Sequence, residues 1–254
     1  MAISRKHKAF RIFLAVFWSV VLTWMWLSMQ ARGVDEKLLT SDGRVQVVES
    51  AEALQLLPQG QAEPAGLIFY PGALVEPDAY APLVREVAEA GFPVFLVKLP
   101  YRLAPRASHE AEVARRTDEV IASHPEVRSW VLGGHSRGGA LAAQIAPARQ
   151  ERLAGLLLIG TSHPREHDLS RLPLDVTKIF ASEDGLASEA EVKEFARLLP
   201  PSTHWVRIDG GNHAQFGWYG RQLGDSSAKI SREEQHRQTV AAVLDVLRRI
   251  SPAS

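Results

Sequence analysis

The sequence predicts an α/β fold, a mainly parallel sheet with helices on both faces, preceded by one N-terminal transmembrane helix. Three features carry that expectation. From residue 44 onward, short apolar runs alternate with amphipathic stretches, the pattern of strands joined by helical crossovers. At 133–139 the chain reads GGHSRGG, a glycine-crowded turn between one such run and one such stretch. Ahead of both, Ile12 to Met29 reads IFLAVFWSVVLTWMWLSM, eighteen uncharged and mostly apolar residues.

As a helix that run reaches about 27 Å at roughly 1.5 Å per residue, close to the ~30 Å hydrocarbon core of a bilayer. Trp24 and Trp26 fall near one end, where interfacial anchors sit. Arg5, Lys6, Lys8 and Arg11 on the near side outweigh Arg32 and Lys37 on the far side. The positive-inside rule then places residues 1–11 in the cytoplasm and everything after the span outside it. The competing reading is a cleaved signal peptide, whose apolar region runs about 7–15 residues and ends on small residues. This run is longer and ends MQARG. The expected organisation is a basic segment at 1–11, a single-pass signal-anchor at 12–29, a polar linker at 30–43 and one α/β domain at 44–254.

Within that domain, RVQVV (44–48) and ALQLL (53–57) alternate and predict an antiparallel hairpin at a sheet edge. Buried strands are expected at GLIFY (66–70), PVFLV (93–97), SWVLG (129–133), GLLLIG (155–160), VTKIFA (176–181) and WVRI (205–208). Helices are expected at 78–91, closed by a C-cap glycine, at 109–124, at ALAAQIA (140–146) and at 187–199. A long terminal helix follows, opened by a capping box on Ser231 and Glu234.

Composition narrows the chemistry. Twenty-nine Lys and Arg balance twenty-nine Asp and Glu, so no net field draws in nucleic acid. The chain has no cysteine, which removes disulfides, thiolate metal sites and cysteine nucleophiles. HPREH at 163–167 matches a zinc-peptidase pattern, but Pro164 inside it and the lack of a third ligand nearby argue against metal, and no cofactor is expected.

Glycine in regular structure costs roughly 0.5–1 kcal/mol relative to alanine, so four in seven positions imply a close approach that a Cβ would block. Gly134 to Gly138 satisfy GxSxG, a tight strand-to-helix turn that exposes the hydroxyl of Ser136 at the carboxyl edge of the sheet. A serine needs a base, and the base needs an orienting group, in the chain order serine, acid, histidine. Asp184 follows one strand and His213 follows the last, which supplies that order; Glu183 is the neighbouring competitor for the acid. The amide of Arg137 and that of Ala73, in YPGALVEP, are the expected oxyanion donors. His135 is expected to pack beside the turn, and Phe216, Trp218 and Tyr219 to line an acyl pocket, with loop 210–230 as its roof.

On GGHSRGG and GGNHAQFGWYG, the chain resembles the α/β-hydrolase fold superfamily from about residue 60 on. Within it, the chain is similar to the lidless α/β-hydrolase fold-5 members, related to dienelactone hydrolases but with serine in place of cysteine. The resemblance implies a Ser136–Asp184–His213 triad and hydrolysis of an ester-like bond, and it names no substrate; the expected partners are a small-molecule or lipid ester and the membrane, through the N-terminal helix. Only about fifteen residues separate the strands at 155–160 and 176–181, too few for the helical cap that many relatives carry. The alternatives are an acyltransferase using the same triad and a non-catalytic binding protein of the same fold.

Overall fold

The computed structural model describes residues 5–251, so the ends of the basic segment read at 1–11 and of the domain read to 254 lie outside the described residues. Among the described residues, eight strands form one sheet: β1 (Val45–Glu49), β2 (Ala53–Pro58), β3 (Ala65–Tyr70), β4 (Val94–Val97), β5 (Ser129–His135), β6 (Gly155–Ile159), β7 (Asp175–Ala181) and β8 (His204–Ile208). Their spatial order is β1-β2-β4-β3-β5-β6-β7-β8. The hairpin β1–β2 forms the expected edge and joins β4 antiparallel; every pair from β4 through β8 is parallel.

Among the described residues, six α-helices are present: α1 (Arg5–Ser28), α2 (Ala81–Glu89), α3 (Ala107–Ser123), α4 (Arg137–Ile145), α5 (Glu189–Glu194) and α6 (Arg232–Ile250). Strand side chains alternate between two apolar layers, as a period of two requires. Leu67, Phe69, Val94 and Leu96 face α2 and α6, while Ile68, Tyr70, Phe95 and Val97 face α3 and α4. Covered on both sides, the central strands read as unbroken apolar runs, which is why they stand out in the sequence.

The capping box expected at the terminal helix is only half formed. The Ser231 hydroxyl accepts from Glu234 N as a cap (3.1 Å), but the Glu234 carboxylate pairs with Arg237 and Gln238 and does not return the bond. The reciprocal capping box forms instead at α5, between Ser188 and Glu191. The 187–199 helix is split, with a 3-10 turn over Ala196–Leu198 after α5.

The segment read as a linker is built into the domain. Met29, directly after α1, is already buried in the core on the α2/α6 side. Its carbonyl accepts from Glu76 N (2.9 Å), Arg32 N donates to Trp218 O (2.7 Å), and Ala31 pairs with Tyr219 as a β-bridge. Farther on, the buried guanidinium of Arg85 on α2 binds Asp42 and the carbonyl of Thr40. A polar composition suggests a tether only when long-range partners are invisible.

Lys178, on β7, is 1% exposed and donates to the carbonyl of His163. Burial, with a smaller push from Arg165, lowers its pKa from 10.5 to about 7. Between those values the unfolded chain holds the extra proton, so this residue makes stability rise with pH, and its cost is fully felt below about pH 7. Lys178→Met is expected to raise the melting temperature by about 5 °C more at pH 6 than at pH 10. Equal shifts at the two pH values in paired thermal scans would contradict this.

Candidate active site

Ser136 occupies the single position between β5 and α4, with φ +53° and ψ −115°. A non-glycine residue there is strained, and strain of this kind persists only where its surroundings hold it. Its amide donates to Ile159 O (2.9 Å), which ties the turn to the end of β6. The glycines explain how the turn fits. A Cβ on Gly138 would stand 2.1 Å from Tyr70 O, and one on Gly134 would stand 2.5 Å from Gly138 C. The backbones at the ends of β3 and β5 and the start of α4 therefore touch directly, and the serine is what projects.

His213 and Asp184 meet as the chain order implies. His213 Nδ1 lies 2.9 Å from Asp184 Oδ2, and both side chains are buried. The other carboxylate oxygen, Oδ1, accepts from Leu186 N (2.8 Å) and Ala187 N (2.7 Å), which fixes the carboxylate's orientation. With Oδ2 as acceptor, the His213 proton sits on Nδ1. Nε2 is left as a lone-pair nitrogen, buried and without a hydrogen-bond partner among the described residues. His213 and Ser136 line the same cavity of about 260 Å³, with Arg137, Thr161, His163 and Arg165 among its other walls. Glu183 is placed elsewhere, bound to Ser182 and Lys229 at the surface.

His135 is fully buried, with its ring centroid 4.6 Å from that of His213. Burial, reinforced by the neighbouring His213, holds its pKa well below 6.5, so it is neutral. The Tyr80 hydroxyl oxygen accepts from Gly72 N (2.9 Å) and is hydrogen-bonded to His135 Nδ1 (2.7 Å). This chain couples the loop after β3 to the residue that precedes Ser136.

The expected oxyanion donors divide. Arg137 lines the cavity, and its amide opens α4, where no intrahelical acceptor exists. Its guanidinium turns away, bound to Leu103 O, Ala104 O and Glu110. Ala73 lies in the loop after β3, next to Leu74 at φ +62°, and is not among the cavity's walls.

The aromatic expectation is corrected. Phe216 is buried against His135 (5.5 Å between centroids), and Tyr219 is buried with its ring 6.5 Å from the same histidine. Trp218 lies by Arg232 and His236, away from the cavity. The loop is drawn inward because its backbone is bonded to Ala79 and to residues 28–32, so Phe216 and Tyr219 pack against His135 and none of the three rings is among the cavity's walls.

The cavity wall comes instead from Thr161, Ser162, His163 and Arg165, part of the stretch whose HPREH sequence suggested a metal motif. Residues 161–169 contain no helix, and His163 Nδ1 lies 3.1 Å from the Thr161 hydroxyl. Among the described residues, no group of three His, Cys, Asp or Glu side chains is placed to hold a metal.

Asp225 is the structural residue that sequence reading missed. Its carboxylate accepts from the amides of Gly185, His213, Ala214 and Ser226, pinning the acid loop to the histidine loop. Nothing in LGDSS marks it, because its partners lie up to forty residues away.

With this geometry in hand, comparison with known proteins settles the family. A family model described as the alpha/beta hydrolase family matches residues 66–237. The chain belongs to the alpha/beta hydrolase family. No curated protein matches it. Among solved structures, it is similar to a dienelactone hydrolase-like promiscuous phosphotriesterase from metagenomic libraries (16% identity, TM-score 0.61, 82% of this chain and 98% of that one). It is also similar to the carboxylesterase CesB of Bacillus subtilis (12% identity, TM-score 0.55, 83% and 94%). A protein of unknown function from Agrobacterium tumefaciens gives 15% identity and TM-score 0.58 over 83% and 100%. At these identities the likeness to this hydrolase chain is one of fold.

Proposed function

We propose that this alpha/beta hydrolase is a membrane-tethered serine hydrolase that cleaves carboxylic esters through an acyl-enzyme, with its catalytic domain outside the cytoplasm. The observation that carries the reading is the strained Ser136 sharing a cavity with the buried His213–Asp184 pair. Ser136 Oγ attacks the ester carbonyl carbon while His213 Nε2 takes the hydroxyl proton. Asp184 holds the ring in the tautomer that leaves Nε2 free and stabilises the imidazolium that forms. The oxyanion is received by the amide of Arg137, which opens α4 at the cavity wall. Collapse breaks the bond to the alcohol, which leaves with the proton from His213, and water reverses the sequence to release the acid.

Tethering is supported by α1, whose stretch Phe10–Ser28 has a mean hydropathy of 1.8 and, up to its last residue, is not buried by the rest of the protein. The basic residues before it support the stated orientation. Ser136→Ala in the full chain is expected to lower the hydrolysis of short p-nitrophenyl esters by at least ~10³-fold, with an unchanged melting temperature. Retention of more than a tenth of the wild-type rate would remove Ser136 from the role.

A further inference from the structure

The end of α1 is joined to the same loops that build the site. Ser28 binds the Arg221 carbonyl through its hydroxyl and receives Gly220 N through its own carbonyl (2.7 Å). Gln30 receives Arg102 (3.2 Å), and Met29 O and Ala31 N bind the backbone and side chain of Glu76 (2.9 Å each). A Cβ on Gly220 would stand 2.7 Å from the Ser28 hydroxyl, so glycine is what lets helix and loop meet. These loops follow β3, β4 and β8 at the carboxyl edge of the sheet, the edge that carries Ser136. Two ring neighbours lead from the strap to the base: Tyr219, paired with Ala31, lies 6.5 Å from His135, which lies 4.6 Å from His213.

No slack separates α1 and the domain. Trp24 and Trp26, exposed in the last turns of α1, mark the interfacial level, and Met29 is already core. Each of the three loops that hold residues 28–32 also carries a large apolar side chain in the open: Leu74 (45% exposed), Tyr101 (78%) and Leu223 (65%). Away from α1, few other large apolar side chains of the domain are this exposed.

We infer that this face rests on the bilayer, which holds the Ser136 site toward the membrane surface and makes its substrates amphiphilic esters taken from the outer leaflet. The inference rests on the hydrolase and anchor readings above. The cavity of about 260 Å³ takes the ester-bearing end of such a molecule, while its chain stays with the lipid. Continuity with the end of the spanning helix selects a lipid surface over a protein partner.

The chain has no cysteine, so a single introduced one carries a probe uniquely. Bimane on Tyr101→Cys or Leu223→Cys, in full-length protein reconstituted into phosphatidylcholine–phosphatidylglycerol vesicles, is expected to be quenched by headgroup-nitroxide lipid. The quenching should exceed by at least threefold that of Glu126→Cys, which lies before β5 at the opposite edge. Equal quenching at the three sites, or a full chain that does not float with vesicles, overturns the orientation whether or not the protein hydrolyses anything. In the same vesicles, the Tyr101→Ser/Leu223→Ser double variant should lose about tenfold on an embedded long-chain monoester relative to wild type. A wild-type chain that turns over a water-soluble acetyl ester but not the embedded one overturns the substrate class. One that turns over neither ester counts against the hydrolase reading, while quenching still reads the orientation.

Discussion

Asp184→Asn is expected to lower kcat for ester hydrolysis by about 10⁴-fold while leaving the protein folded. The reason lies in how the carboxylate is held. Oδ1 already accepts two amides, from Leu186 and Ala187, so an asparagine keeps its oxygen there and turns its NH₂ toward His213 Nδ1. Two donors cannot share that contact. The imidazole answers by moving its proton to Nε2, the nitrogen that must accept the proton of Ser136, and the base is lost although every atom remains in place. Steady-state kinetics with thermal melts check this. A decrease below tenfold would mean that the Asp184–His213 pair is structural only.

The second large effect is on the turn itself. Gly138→Ala is expected to destabilise the protein by at least ~3 kcal/mol, because the added methyl would stand 2.1 Å from Tyr70 O and 2.6 Å from Pro71 O. Those atoms are backbone and have no rotamer to change. Relief requires β3 and α4 to part, which also displaces Ser136, so activity should fall with stability. Gly43→Ala is the matched control, since nothing lies within 4 Å of its built Cβ. Chemical denaturation of both variants separates the two cases, and a Gly138→Ala protein as stable as Gly43→Ala would show that the turn has room to spare.

Much of the fold is legible in the sequence. The central strands were readable because burial on both faces leaves GLIFY and GLLLI without polar interruption. GGHSRGG was readable because a close approach of three backbones admits no other residue at Gly134 and Gly138. Asp184 and His213 followed from chain order, since both lie just past strand ends on one edge. What stayed hidden depends on distant partners. The start of α4 at Arg137 lies three residues earlier than its alanine-rich stretch suggests, because packing against β5 and β6 fixes the glycines that intrinsic propensity would reject. The direction of Phe216, Trp218 and Tyr219 had no periodicity to reveal it, and their inward turn follows from backbone bonds to Ala79 and to residues 28–32. The same bonds turned a polar connector into a strap.

The central claim is that Ser136, activated by His213, is the atom acylated in turnover. Full-length protein treated with a fluorophosphonate and then digested should carry the adduct on the peptide containing Ser136 at one equivalent per chain. The adduct should be absent from Ser136→Ala and form at least ~10²-fold more slowly in His213→Ala. An adduct on any other residue, or labelling of the Ser136→Ala chain at the wild-type rate, would contradict the account.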